Sequence, residues 1–153
     1  MPAFHNERRV RHSAREMFDL VADVERYPEF VPLCRALKVR RRTPTDPEVE
    51  VLVAEMEVGY RAIRERFTTR VTLDRPRLKI LVEYVDGPFS RLENVWGFRD
   101  DAPGRSTVAF FIAYEFRSRL LAAAMGAVFD AAFRKFSAAF EARADAVYGR
   151  AAV

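Results

Sequence analysis

The side chains able to do chemistry in this chain are few and scattered. Glu65 shares the parity of Ile63, Phe67, Val71 and Leu73 along one stretch, so it could present an acid or base to a buried substrate. His5 and His12, the two histidines, do not share that parity convincingly, and Cys34, the single cysteine, has no evident partner base. So small a set of ligands argues against a structural zinc site, and one cysteine excludes an intrachain disulfide. There is no Gly-x-Ser-x-Gly, His-Glu-x-x-His or phosphate-cradling glycine loop. Catalytic turnover is therefore not the expectation, and no catalytic residue or cofactor is assigned.

Charge is the second available chemistry. The formal charge is +4, and nearly all of the positive side chains are arginine, the lysines being Lys38, Lys79 and Lys135. Arg8, Arg9 and Arg11 form one dense cluster and Arg40, Arg41 and Arg42 another. They would contact phosphates if the fold brought them together. Without interleaved aromatics they do not resemble a single-strand-binding surface, and solvated strand faces also account for them. DNA is not expected as a partner.

These residues must be positioned by a core, and the chain has one to offer. With 153 residues, half of them hydrophobic, it is expected to fold as one domain over residues 1–153 without staples. The N-terminus lacks the apolar centre of a signal peptide and no uncharged apolar run approaches membrane-spanning length, so a reducing, cytoplasmic setting is expected.

The longest periodic segment runs from Ser118 to Tyr148 and predicts one helix of roughly 30 residues and about 45 Å. Leu121, Met125, Val128, Phe129, Ala132, Phe133, Phe136, Phe140 and Val147 fall on one face. Asp130, Arg134, Ser137, Glu141 and Asp145 fall on the other. Gly126 implies either a close backbone approach or a void. Arg143 interrupts the apolar stripe, and snorkelling near the favourable end of the helix dipole would explain it.

Upstream, Phe4 to Arg11 predicts an edge strand, and Ser13-Ala14-Arg15-Glu16 a capping box opening a short helix. That helix should stop near Asp23 to Arg26, because Tyr27 precedes Pro28. Tyr27 to Cys34 then holds large apolar side chains between two prolines, as either a packed turn or a cavity lid. Leu37 to Arg42 predicts a strand and Thr43 to Pro47 a turn. The apolar parity of Val49, Val51 and Val53 slips to Ala54, Met56 and Val58, which predicts a β-bulge there. Strands around Ile63–Leu73, Leu78–Tyr84, Phe89–Phe98 and Val108–Phe116 follow, the last two joined by a hairpin loop at Asp100–Gly104. The sum is α+β, with helices on one face of a curved antiparallel sheet of six or seven strands.

In that order, the words Val21-Ala22-Asp23-Val24-Glu25-Arg26-Tyr27-Pro28-Glu29-Phe30-Val31-Pro32 and Asp86-Gly87-Pro88-Phe89 resemble the coenzyme Q-binding protein family. Trp96-Gly97-Phe98, Tyr114-Glu115-Phe116, Val128-Phe129 and Ala139 to Ala144 extend the likeness along nearly the whole chain. The resemblance implies a START-like helix-grip fold, with the sheet wrapped around the terminal helix and an apolar cavity between them. It implies binding of ubiquinone or a related polyprenyl quinone in support of respiratory electron transfer, with transient contact at the inner membrane surface. Similar bacterial proteins act on the large ribosomal subunit, so the ribosome is the alternative partner; similar folds also host cyclases and hydratases. Leu33 departs from the tryptophan that many members carry before the cysteine, which changes the expected cavity mouth.

An apolar cavity suits a quinone because each buried CH₂ of the tail contributes about 0.8 kcal/mol. On the implied fold, Phe67, Val82, Trp96, Phe110, Ile112, Phe129, Phe133 and Phe136 are candidates to hold the tail. Tyr84, Asn94 and Tyr114 are candidates for the ring carbonyls. Tyr27, Pro28, Phe30, Val31, Pro32 and Leu33 would form the mouth.

Overall fold

The computed structural model describes residues 3–149. Strand β1 (Ala3–Val10) leads into helix α1 (Ala14–Ala22) and a 3₁₀ helix, Val24–Glu29. Six strands follow in meander: β2 (Cys34–Asp46), β3 (Val49–Tyr60), β4 (Ile63–Asp74), β5 (Lys79–Asp86), β6 (Phe89–Ala102) and β7 (Arg105–Phe116). Helix α2 (Arg119–Tyr148) ends the fold. The sheet has seven strands in the order β1-β7-β6-β5-β4-β3-β2, all pairs antiparallel. This is the α+β helix-grip arrangement, with α2 held against the sheet's concave face.

Local chemistry explains the helix starts. Ser13 Oγ accepts the Glu16 amide at 3.1 Å and Glu16 Oε1 accepts the Ser13 amide at 2.9 Å, completing the expected capping box. Ser118 caps α2 by accepting the Leu121 amide. The Tyr27–Pro28 pair sits within the 3₁₀ turn, so the chain leaves α1 tightly wound.

Three expectations about the sheet are corrected. Strand β3 pairs with β4 in unbroken register from Val49 to Tyr60, so its parity slip is not a bulge; Val51 and Val53 face outward, half-buried, while Leu52, Ala54 and Val58 face the core. The bulges lie on β2 instead, where the register shifts between Cys34 and Ala36, Val39 and Arg41, and Pro44 and Asp46. The expected turn at Thr43–Pro47 is therefore mostly strand, with Pro44 tolerated because β2 is an edge. Likewise β6 runs on to Ala102, through part of the expected hairpin loop.

The remaining corrections concern α2. Its aromatic face is buried as expected at Phe129, Phe133 and Phe140, but Val147 is exposed. The opposite, polar face docks on the N-terminal segment: Ser137 is buried and hydrogen-bonds Asn6, Glu141 pairs with Arg8 at 2.7 Å, and Asp145 pairs with buried His12 at 2.7 Å. No atom lies within 4 Å of a Cβ built on Gly126, which rules out close approach there. Among the described residues no helix is long and apolar enough to cross a membrane.

Candidate ligand-binding cavity

Inward-facing residues of β3 to β7 and the aromatic stripe of α2 do not close fully on one another. They leave a cavity of about 90 Å³, bounded also by Val24, Tyr27, Pro32 and Leu33. No charged side chain or histidine lines it; the polar groups on its wall are Tyr27, Thr69 and Asn94.

Eight of the expected residues reach this wall from the sheet and α2: Phe67, Val82, Asn94, Trp96, Ile112, Phe129, Phe133 and Phe136. Phe110 does not. It lies in the core behind Trp96, with ring centroids 4.7 Å apart, and also packs on Phe136 and Phe4. The two tyrosines expected to meet a head group are placed elsewhere. Tyr84 spends its hydroxyl accepting the Phe89 amide at 3.1 Å, bracing the Asp86–Pro88 turn. Tyr114 is buried against Phe133 and opens on an outer hollow shared with Gly126 and Asp130. Burial raises both phenol pKa values, so neither supplies a ready base.

From the segment after α1, Tyr27, Pro32 and Leu33 line the cavity, whereas Pro28, Phe30 and Val31 do not. Phe30 packs edge-on against Phe140 at 5.0 Å and Tyr27 at 6.1 Å, making an aromatic plug between the segment and α2. The Tyr27 hydroxyl donates to the Val21 carbonyl, and burial, then nearby Cys34 and Asp23, holds its proton on. Leu33 adopts φ 68°, a left-handed conformation costly for a leucine, with its carbonyl accepting the Gly59 amide at 3.0 Å.

The candidate reactive groups lie off the wall. Glu65 is half-buried on β4, outside the lining. Burial pushes the Cys34 thiol up to about 12, which keeps it protonated and unreactive at neutral pH. His12 is committed to Asp145.

Several wall residues had no distinct signal in the sequence. Thr69, Val71 and Ile80 follow strand parity but look like any core position. Phe89 is better hidden: a register shift between Phe89 and Arg91 places it on the inward face along with Leu92, breaking the alternation. It is fully buried and packs on Phe67, Tyr84, Tyr114, Phe116 and Phe129. Gly87 makes this possible. Its φ of +142° and a Cβ that would meet the Phe67 Cβ at 2.4 Å leave room for no other residue.

The two arginine clusters do not converge. They ride on β1 and β2, opposite edges of the sheet. Arg8, Arg40 and Arg42 are paired with Glu141, Glu55 and Glu50. A different grouping emerges at the β6–β7 turn, where exposed Arg9, Arg11 and Arg105 share one cleft with Asp101, none of the three in ion-pair contact with a carboxylate among the described residues.

Known proteins with this architecture are similar along nearly all of the chain. The 18 kDa protein CC1736 from Caulobacter crescentus is 36% identical, with TM-score 0.78 over 97% of this chain and 99% of that one. The ribosome association toxin RatA of Escherichia coli (strain K12) is 33% identical over 148 residues, 97% of this chain and 90% of its own length. The mitochondrial coenzyme Q-binding protein COQ10 homolog B of Xenopus laevis is 34% identical over 142 residues, 90% of this chain and 56% of its own length. Residues 10–141 match the model of one family, and the chain belongs to it: polyketide cyclase / dehydrase and lipid transport.

Proposed function

We propose that this protein binds a polyprenyl quinone of the ubiquinone kind in the cavity between sheet and α2, as a non-catalytic carrier or chaperone supporting respiratory electron transfer. The observation that carries this reading is the wall itself: apolar and aromatic, with three polar residues and no charge. Such a surface gains from burying hydrocarbon and gives little to a charged substrate. The coenzyme Q-binding relative supports the choice of ligand. The same wall supports the non-catalytic reading, since an acid–base pair has no ionisable side chain to draw on there beyond the Tyr27 phenol, whose proton burial holds in place. No cofactor is needed beyond the bound lipid. Quinones reside in membranes, so a cytoplasmic carrier would collect its ligand by transient contact with the inner membrane surface.

Mass spectrometry of organic extracts from protein purified without detergent tests the proposal. A quinone should co-purify. If none does and added ubiquinone fails to bind, the reading is wrong.

A second reading is favoured by the free arginines. Arg9, Arg11 and Arg105 outnumber Asp101 around one cleft and leave it net cationic, which suits RNA phosphates, and one similar protein is named for ribosome association. Cosedimentation with the large ribosomal subunit that collapses between low and moderate salt would support it; the absence of cosedimentation would remove it.

A further inference from the structure

Resting on the lipid-cavity reading, we infer that the ligand enters head first: a neutral, oxygen-bearing ring is held inside the cavity by Thr69 and Asn94, and the hydrocarbon tail leaves past Tyr27, Pro32 and Leu33. The first observation is an unpaired hydroxyl. Thr69 is 6% exposed, lies on the cavity wall, and its side chain has no hydrogen-bond partner among the described residues. Unlike Ser106 Oγ, which is sealed without a partner, the Thr69 hydroxyl keeps accessible surface on the cavity side, so it is open to a hydrogen bond from whatever occupies the space.

Asn94 is the second group. Its Nδ2 donates to the Phe111 carbonyl at 2.8 Å and its Oδ1 accepts the Trp96 indole N–H at 3.0 Å. Those bonds fix the amide and leave one of its two N–H groups uncommitted. Thr69 and Asn94 thus each offer a donor, from β4 and β6, on either side of β5. The register sets Asn94 across β5 from Val71, two positions along from Thr69, so the two backbones are roughly 12 Å apart; with both side chains reaching inward from the concave face, a para-quinone, with an oxygen at each end of its ring, can bridge the remaining span.

Size and position give the orientation. At about 90 Å³ the cavity is of the order of the ~150 Å³ engineered void that accepts benzene, and well below the ~300 Å³ at which drug-sized pockets begin. It fits a ring, not a polyprenyl chain. Thr69 lies two strands in from the β2 edge and Asn94 four, whereas Pro32 and Leu33 lead directly into β2. The polar groups are therefore remote from the Pro32–Leu33 side, whose surface is apolar. The lack of any cation on the wall excludes a carboxylate or phosphate head from the interior.

Trp96 is the single tryptophan and lies on the wall, so its fluorescence reports occupancy directly. Three probes separate the possibilities: the free dimethoxy-methyl-benzoquinone head, squalene as an isoprenoid without oxygen, and oleate. The wild type should bind the free head, and Thr69→Val should weaken it about fivefold or more, the equivalent of one hydrogen bond. Thr69→Ser should restore binding, and squalene should be indifferent to both substitutions. Because Thr69→Val replaces an unpaired hydroxyl with a group of the same shape, the empty variant should melt at the same or a higher temperature. That pairing of signs does not arise from a merely structural residue. Binding of squalene but not of the head would place the tail inside and overturn the orientation while leaving the cavity reading intact. Unchanged head affinity in Thr69→Val, or tight oleate binding that displaces the head, would also overturn it. Failure of tailed ubiquinone, the head and squalene alike would sink both readings.

Discussion

Arg143 of α2 and Glu29 of the 3₁₀ turn meet at 2.6 Å, with the Arg143 guanidinium 5.0 Å above the Phe30 ring. The arginine that interrupts the apolar stripe does not snorkel toward the helix end; it fastens the segment beside the cavity to the helix that forms its opposite wall. Hydrogen bonds from Arg143 and then Arg26 hold the Glu29 carboxyl below the usual carboxylate range. A lowered folded-state pKa means that the clasp is intact above the unfolded value and is lost as pH falls through the folded one. Stopped-flow release of a bound quinone, followed through Trp96, should therefore accelerate only in acid. Arg143→Ala should speed release at neutral pH, roughly twofold to tenfold, with little change in global stability. Unchanged release would mean that the segment does not gate the cavity.

Phe133 projects from α2 onto the cavity wall, packed on Phe129 at 5.8 Å and Tyr114 at 5.2 Å. Phe133→Ala should reduce quinone affinity by about tenfold or more and lower stability by about 3–5 kcal/mol. Arg41→Ala, on the distant β2 edge, should do neither. Titration alongside thermal unfolding checks this; equal effects from the two variants would show the wall to be misassigned.

Two glycines should respond in opposite directions. Gly126→Ala places a methyl group in open space on a helix and should stabilise by about 0.5–1 kcal/mol. Gly87→Ala meets both a positive φ and the Phe67 Cβ and Cα, and should destabilise by at least about 1–3 kcal/mol. Denaturant midpoints at constant m-value give both numbers.

If the arginine cleft contacts RNA, about three phosphates are neutralised, and raising salt from low to moderate should weaken ribosome binding roughly tenfold to fiftyfold. Replacing Arg9 and Arg105 with alanine should flatten that salt dependence while leaving quinone titrations unchanged. A slope that survives the double substitution would move the contact to another surface.

The order of elements, the Ser13 capping box and the length of α2 were legible because each rests on local signals: a cap, a period, a proline. The wall of the cavity was legible where it followed parity, as at Phe67, Val82 and Trp96. It was lost where tertiary structure intervened. The shift beside Phe89 turned an odd-numbered residue inward, and hydrogen bonding diverted Tyr84 to a turn. Thr69 was invisible for another reason: threonine is ordinary in strands, and only the missing partner distinguishes it. Hydrophobic periodicity grouped the second face of α2 but could not say what it meets, since contacts such as Ser137 with Asn6 and Asp145 with His12 join residues more than 130 positions apart.

The register shifts of β2 bear on how this protein behaves at high concentration. A seven-stranded open sheet has two free edges, and a long flat edge invites another chain to add to it. Along β2 the extra residues Arg35, Arg40 and Thr45 interrupt the ladder, and Pro44 withholds a donor. An incoming strand finds no uninterrupted run of hydrogen-bonding groups to match and must approach a row of arginines carrying its own charge. The kinks that curl the sheet around the cavity thus also act as a guard against fibrillar self-association.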